Sequence, residues 1–149
     1  MQEFVRSENK DSQSSLQKKP LNLLGMAKKA GLLAIGSESV KMSVREGKVK
    51  LIALASDTSE GSARQLRYSA ENYGTICVDT PYTKFEFGNV TGRGSPGTVG
   101  FLDLGLAAEF MKKLSALDEA RYGEIARMFK TKAKARSANN QSAKRRSKI

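Results

Sequence analysis

Three aspartates, Asp57, Asp79 and Asp103, stand directly after apolar runs, and Lys41, Arg45 and Lys48 follow one another within the glycine-bounded segment GSESVKMSVREGK, residues 36–48. The two sets suit different chemistries. Carboxylates at strand ends are where α/β enzymes place catalytic groups; the alternative is that each caps or precedes a helix or turn. Cations behind a serine-led first helical turn suit a phosphate, because the N–H groups there carry partial positive charge that the side chains extend. A solvated amphipathic face is the plain alternative. At helical steps Val40, Val44 and Gly47 share one arc, Lys41 and Arg45 lie beside it, and Glu38, Met42 and Glu46 lie opposite. Ser37 is placed to cap this helix.

Most other catalytic materials are scarce. Histidine is absent and cysteine occurs once, at Cys77, so the commonest general base is missing and cysteines of this chain alone cannot build a zinc site. The loop GNVTGRGSPG, residues 88–97, holds Arg93 among glycines, which leave backbone N–H groups free to approach a phosphate. It matches neither nucleotide-binding glycine pattern, since it leads from a helix into a strand. The expectation is no catalytic residue, no metal site and no cofactor.

The net charge of +11 over 149 residues is unevenly placed. Residues 118–149 hold ten basic and three acidic side chains, against twelve and nine in residues 21–117. From Lys130 onward eight basic and no acidic residues occur among twenty. Such a block is expected to be disordered when free and to attract a polyanion, most often nucleic acid. Cys77, between Ile76 and Val78, reads as a small buried hydrophobe, and a lone thiol fits a reducing cytoplasm. No apolar run approaches the roughly 18 residues that span a bilayer, and the N-terminus is too polar for a signal peptide, so no membrane partner is expected.

These groups need elements to position them. Residues 1–19 are polar and serine-rich and read as a flexible leader. In PLNLLGMAKKAG, residues 20–31, Leu23, Leu24, Ala27 and Ala30 form one helical stripe with Pro20 in the first turn and Gly31 as the stop. LLAI follows as a short strand, then a helix from about Ser39 to Arg45, ended by Gly47. KLIALAS, residues 50–56, reads as a strand covered on both faces, because its apolar residues do not alternate. A third helix has Thr58 or Ser59 as cap and Gly74 as terminator; the strand TICVD follows. Thr83 and Glu86 open a short helix with a capping-box pattern, and the strand TVGFLD leads into a longer helix from about Leu104. This alternation predicts one α/β domain over residues 20–117, with helices on both faces of a four-stranded sheet. Residues 118–149 read as a further helix, continuous or broken at Gly123, and a disordered basic tail.

Two stretches carry a more specific likeness: LLGMAKKAGLLAIGSESVKMSVREGKVKLIALASDTSEGSARQL, residues 23–66, and GRGSPGTVGFLDLGLAAEF, residues 92–110. Together they resemble the kink-turn RNA-binding ribosomal-protein superfamily, which includes archaeal large-subunit protein seven-Ae, and most of all its YlxQ-like bacterial members. The resemblance covers about residues 21–114. It implies a three-layer α-β-α sandwich around a mixed four-stranded sheet, a monomer, and a ligand of sharply bent structured RNA. By position, Gly36 and Ser37 match the turn into the RNA-gripping helix. Glu38 and Ser39 fall where many members have Asn-Glu, and Met42 where they have Lys. Gly92, Arg93, Gly94, Ser95, Pro96, Gly97 and Thr98 match the loop that lies against an extruded nucleotide. With Ser39 and Met42 at the reader positions, Lys41 and Arg45 supply charge from shifted ones. A lost base-edge contact costs about 1 to 3 kcal/mol of discrimination, whereas phosphate contacts add affinity with little sequence preference. Selectivity should therefore suffer more than affinity.

The leading expectation is a non-catalytic RNA-binding module associated with ribosomes or translation, with ribosomal RNA or another structured RNA as partner. A small α/β enzyme, or a detached recognition domain of an RNA-modifying enzyme, is the alternative from another class. A protein-interaction module is the third: Ile125, Met128 and Phe129 would dock the C-terminal helix on a partner such as a ribosome-associated protein.

Overall fold

The run read as a doubly covered strand lies in the interior of the sheet. The computed structural model describes residues 18–147, with side chains through residue 138. Its strands are β1 (Leu33–Ile35), β2 (Leu51–Leu54), β3 (Ile76–Asp79) and β4 (Thr98–Phe101), in the spatial order β1-β4-β2-β3. β2 and β3 are parallel, while β4 is antiparallel to both its neighbours, with Val99 opposite Ile35 on one side and Ala53 on the other. The sheet is therefore mixed.

Among the described residues six helices cover it: α1 (residues 18–29), α2 (Ser37–Arg45), α3 (Glu60–Tyr73), α4 (Lys84–Thr91), α5 (Leu104–Leu117) and α6 (Glu119–Ser147). Because side chains alternate along a strand, Leu51 and Ala53 enter one apolar layer and Ile52 and Leu54 the other. The first layer takes Leu24 and Ala27 of α1, Phe87 of α4, Phe110, Met111 and Leu114 of α5, and Tyr122 and Phe129 of α6. Val40 and Val44 of α2 pack with Ala63, Leu66 and Ala70 of α3 in the second. Each fully buried Val or Leu side chain contributes roughly 1.5 to 3 kcal/mol, enough for these stripes to fix which way each helix faces. The α-β-α sandwich stands as the motifs implied.

Several local expectations hold with their reasons visible. Ser59 caps α3 by accepting from the Ser62 N–H, and Gly74 ends it in the left-handed conformation. Thr83 and Glu86 form the reciprocal capping box of α4. Asp103 caps α5 through the Leu106 N–H.

Other expectations are corrected. α2 begins at Ser37, two residues before the sequence suggested. Of the segment read as a leader, residues 1–17 lie outside the described residues, and residues 18 and 19 are helical. The tract expected to be disordered beyond Lys130 continues α6 to Ser147. Neither Gly nor Pro occurs after Gly123, and Ala, Lys and Arg favour helix, so nothing local stops it. The chain breaks at Asp118, φ −154° and ψ 85°, rather than at Gly123, which lies inside α6. Phe129 is buried and Ile125 packs against the same core, so the stripe offered to a partner is spent within the domain; only Met128 stays substantially exposed. Tyr122 fastens α6 to the sheet by donating its hydroxyl to the Asp79 carbonyl at 2.6 Å. Burial pushes the Tyr122 phenol up.

Cys77 is half-buried, and its thiol is pushed up to about 12 from an ordinary 9.0 by burial first and the Asp79 charge second, with Arg67 pulling the other way. The unfolded thiol ionises near 9.0 and the folded one near 12, so this contribution to stability is full below the first value and is lost as pH rises through the second. In urea titrations across that window, Cys77→Ala should lose less stability than the parent chain; an identical pH slope would show that the thiol carries none of it.

Candidate functional site

At the end of the sheet where β2 and β3 finish and β4 begins, three segments meet on backbone hydrogen bonds. The Gly36 N–H donates to the Thr98 carbonyl at 2.9 Å, joining the entry of α2 to the end of the 92–98 loop. The Gly97 carbonyl accepts from the Ala55 N–H at 2.8 Å and from the Thr58 hydroxyl at 2.7 Å. Thr58 thus does not cap α3; it ties the loop to the end of β2.

The entry to α2 differs from the expected cap. Gly36 occupies the cap position with φ 92° and ψ 154°, and no side chain caps the helix. That backbone region is essentially reserved for glycine. Ser37 sits one residue inside the helix, with its hydroxyl 3.5 Å from the Thr98 hydroxyl. The first-turn N–H groups are therefore left without a side-chain acceptor at the positive end of the helix. Glu38 and Ser39 are exposed beside them, and so is Met42.

The loop is shaped by a close backbone approach. Its carbonyl at Gly94 lies 1.8 Å from where a β-carbon on Gly88 would stand, so α4 can pass beneath the loop only with glycine there. Gly92, Arg93, Gly94 and Ser95 are exposed, Pro96 and Gly97 half-buried, and Thr98 buried in β4. Lys28, which the sequence reading did not select, brings its ammonium 3.3 Å from the β-carbon position of Gly92. Its signal was present in the A-K-K-A-G helix end, but only the fold shows that this end abuts the loop.

The other two chosen cations point elsewhere. Lys41 donates to the Gln65 side chain of α3 at 2.8 Å and pairs with Glu38 at 3.4 Å. Arg45 lines the same α2–α3 groove. The structure therefore brings together Gly36, Ser37 and the loop, and sets Lys41 and Arg45 along the helix flank.

The aspartates have structural employment. Asp57 accepts from the Lys84 N–H at the start of α4, Asp79 pairs with Arg67 at 2.6 Å, and Asp103 is the α5 cap. Among the described residues, no group of three His, Cys, Asp or Glu is placed to hold a metal ion, and no helix is long and apolar enough to cross a membrane.

Two substitutions separate these roles. Losing a side-chain cap costs about 1 kcal/mol, so Ser37→Ala, which removes none, should leave the unfolding midpoint nearly unchanged. Gly88→Ala should cost about 1 to 3 kcal/mol through overpacking and shift the amide resonances of residues 92–97. A destabilised Ser37→Ala or a neutral Gly88→Ala would contradict this geometry.

No established family profile matches the chain. The RNA-binding protein YlxQ of Enterococcus faecium is 29% identical over 92 residues, which span 61% of this chain and 86% of that protein. A solved Bacillus halodurans protein of unknown function superposes with a TM-score of 0.60 at 26% identity, covering 65% of this chain and 97% of its own. The Giardia lamblia 15.5 kD RNA-binding protein shares the fold, with a TM-score of 0.57 at 20% identity over 69% of this chain and 90% of that one. Over those 92 residues the chain is thus similar to the Enterococcus YlxQ protein, and it shares its fold with both solved proteins.

Proposed function

We propose that this chain is a non-catalytic, monomeric RNA-binding protein that grips sharply bent, kink-turn-like RNA in ribosomes or another cytoplasmic translation assembly. The observation that carries the reading is the junction of the uncapped first turn of α2 with the 92–98 loop through the Gly36–Thr98 hydrogen bond. A phosphate or base-edge acceptor fits the exposed N–H groups, and Arg93 with Lys28 supplies charge beside the exposed glycine backbone of the loop. The name of the Enterococcus relative supports the same partner class. The enzyme reading is weaker, because all three strand-end aspartates are held in caps or an ion pair.

The site's composition also sets what kind of binding to expect. Glu38 is the one carboxylate in the first turn of α2, and Met42 presents thioether rather than charge. Backbone donors and cations recognise the shape and phosphates of a bend more than its bases. The relevant comparison is therefore a stem with a sharp internal bend against a straight duplex of the same composition, titrated at two salt concentrations. The bent RNA should bind more tightly, and Arg93→Ala should lower the salt slope by about one unit, as loss of a single phosphate contact does. Equal affinity for both RNAs would overturn the reading and leave only non-selective attraction to polyanions.

A further inference from the structure

The α2–α3 groove leads away from the gripped turn and has a chemistry of its own. It encloses about 300 Å³ and is lined by Lys41 and Arg45 from α2 and by Gln65, Tyr68, Asn72 and Tyr73 among the α3 residues. On α3 these four recur at helical spacing, so they form one stripe facing α2. Tyr68 is 67% exposed and Tyr73 52% exposed, two of the few large apolar surfaces the domain leaves in solvent. Together they place two exposed aromatic faces beside the cations of α2. No acidic side chain lines the groove; Glu38, at its rim, is engaged with Lys41.

We propose that this groove is a second binding site, for an unpaired RNA strand leaving the bend held at the α2 turn. The inference rests on the function proposed above and names what that face does next. Lys41 lies one helical turn beyond Ser37, so the track begins where the gripped RNA ends. The stripe from Gln65 to Tyr73 then runs on the order of 12 Å, at about 1.5 Å per residue. Cations for phosphates interleaved with aromatic faces for bases are the elements of single-strand recognition, and stacking is tolerant of sequence because every base has a π-face. The side-chain amides of Gln65 and Asn72 offer both donors and acceptors to base edges. A duplex would not serve the tyrosines, since its bases are already stacked on one another.

The test uses the full chain and two probes: the bent stem alone, and the same stem with a short oligouridine extension placed on either strand in turn. The extended RNA should bind about tenfold more tightly than the bare stem. Tyr68→Ala with Tyr73→Ala should remove about that factor from the extended RNA and leave the bare stem unchanged, while Tyr68→Phe with Tyr73→Phe keeps the rings and should retain it. Circular dichroism of the alanine variant checks that these exposed positions have not disturbed the fold. If the extension confers no advantage on the unmutated chain, or if the alanine variant weakens both RNAs equally, the groove inference is overturned while the grip on the bend stands. Failure of the unmutated chain to prefer the bent stem at all would remove the underlying reading and the groove with it.

Discussion

The arrangement of the candidate site depends on the two residues at the entry to β4. Gly97 and Thr98 enter the sheet between β1 and β2, and their carbonyls are claimed by three other segments: Gly36 at the start of α2, Ala55 at the end of β2, and Thr58 before α3. Backbone groups buried in such a place are costly to leave unpaired, so the position of the loop and the entry of α2 are set together rather than independently. The exposed part of the loop, residues 92–95, then projects from a fixed base, and Gly88 beneath it holds the only side-chain size that lets α4 pass. A site assembled mainly from backbone tolerates many surface substitutions, because the N–H groups remain when a side chain changes.

The direction of α6 decides where its described basic residues stand. Arg121, in its first turn, shares a cavity with Leu54, Asp79 and Thr80 at the ends of β2 and β3, while Ser137 and Ala138 lie in a groove with Gly105 at the start of α5. The helix therefore runs from the loop end of the sheet to the opposite end, and the remainder to Ser147 continues past the start of α5. Its basic residues follow it. Of these, Arg127, Lys130 and Lys134 line the groove with Gly105.

Much of this was legible because it follows from periods and end signals. The unbroken apolar run of β2, the valine stripe of α2 and the Thr83–Glu86 box each have one strong physical solution, and the motifs then supplied the topology that local patterns lack. What was misread has equally local causes. Ser37 looked like a cap because serine is a good one, but the chain reverses at Gly36, which puts the serine inside the helix and its hydroxyl toward Thr98. The tail looked disordered from its charge, although its alanines and its lack of Gly and Pro after Gly123 favour helix. Ile125 and Phe129 gave the right stripe, yet a stripe does not say whether its partner is another protein or the same domain. Lys28 and the two exposed tyrosines were invisible as site residues, since each acquires meaning only from a neighbour distant in sequence.

Under the proposed function, the substitutions at the reader positions and the composition of the neighbouring groove belong to one argument. A site with Asn, Glu and Lys aimed at base edges draws selectivity from the bend itself. On that reading Ser39 and Met42 would leave those edges with weaker partners, while the first turn of α2 keeps N–H groups that no side chain caps. Lys41 donates to Gln65 across the α2–α3 groove while pairing with Glu38 in the first turn, so it joins the turn to the groove. If the groove holds a strand as proposed, polar recognition moves from the paired region to that strand. On that account the bend provides placement, and the sequence preference of the protein, where it has one, is set by what lies against Gln65, Tyr68, Asn72 and Tyr73.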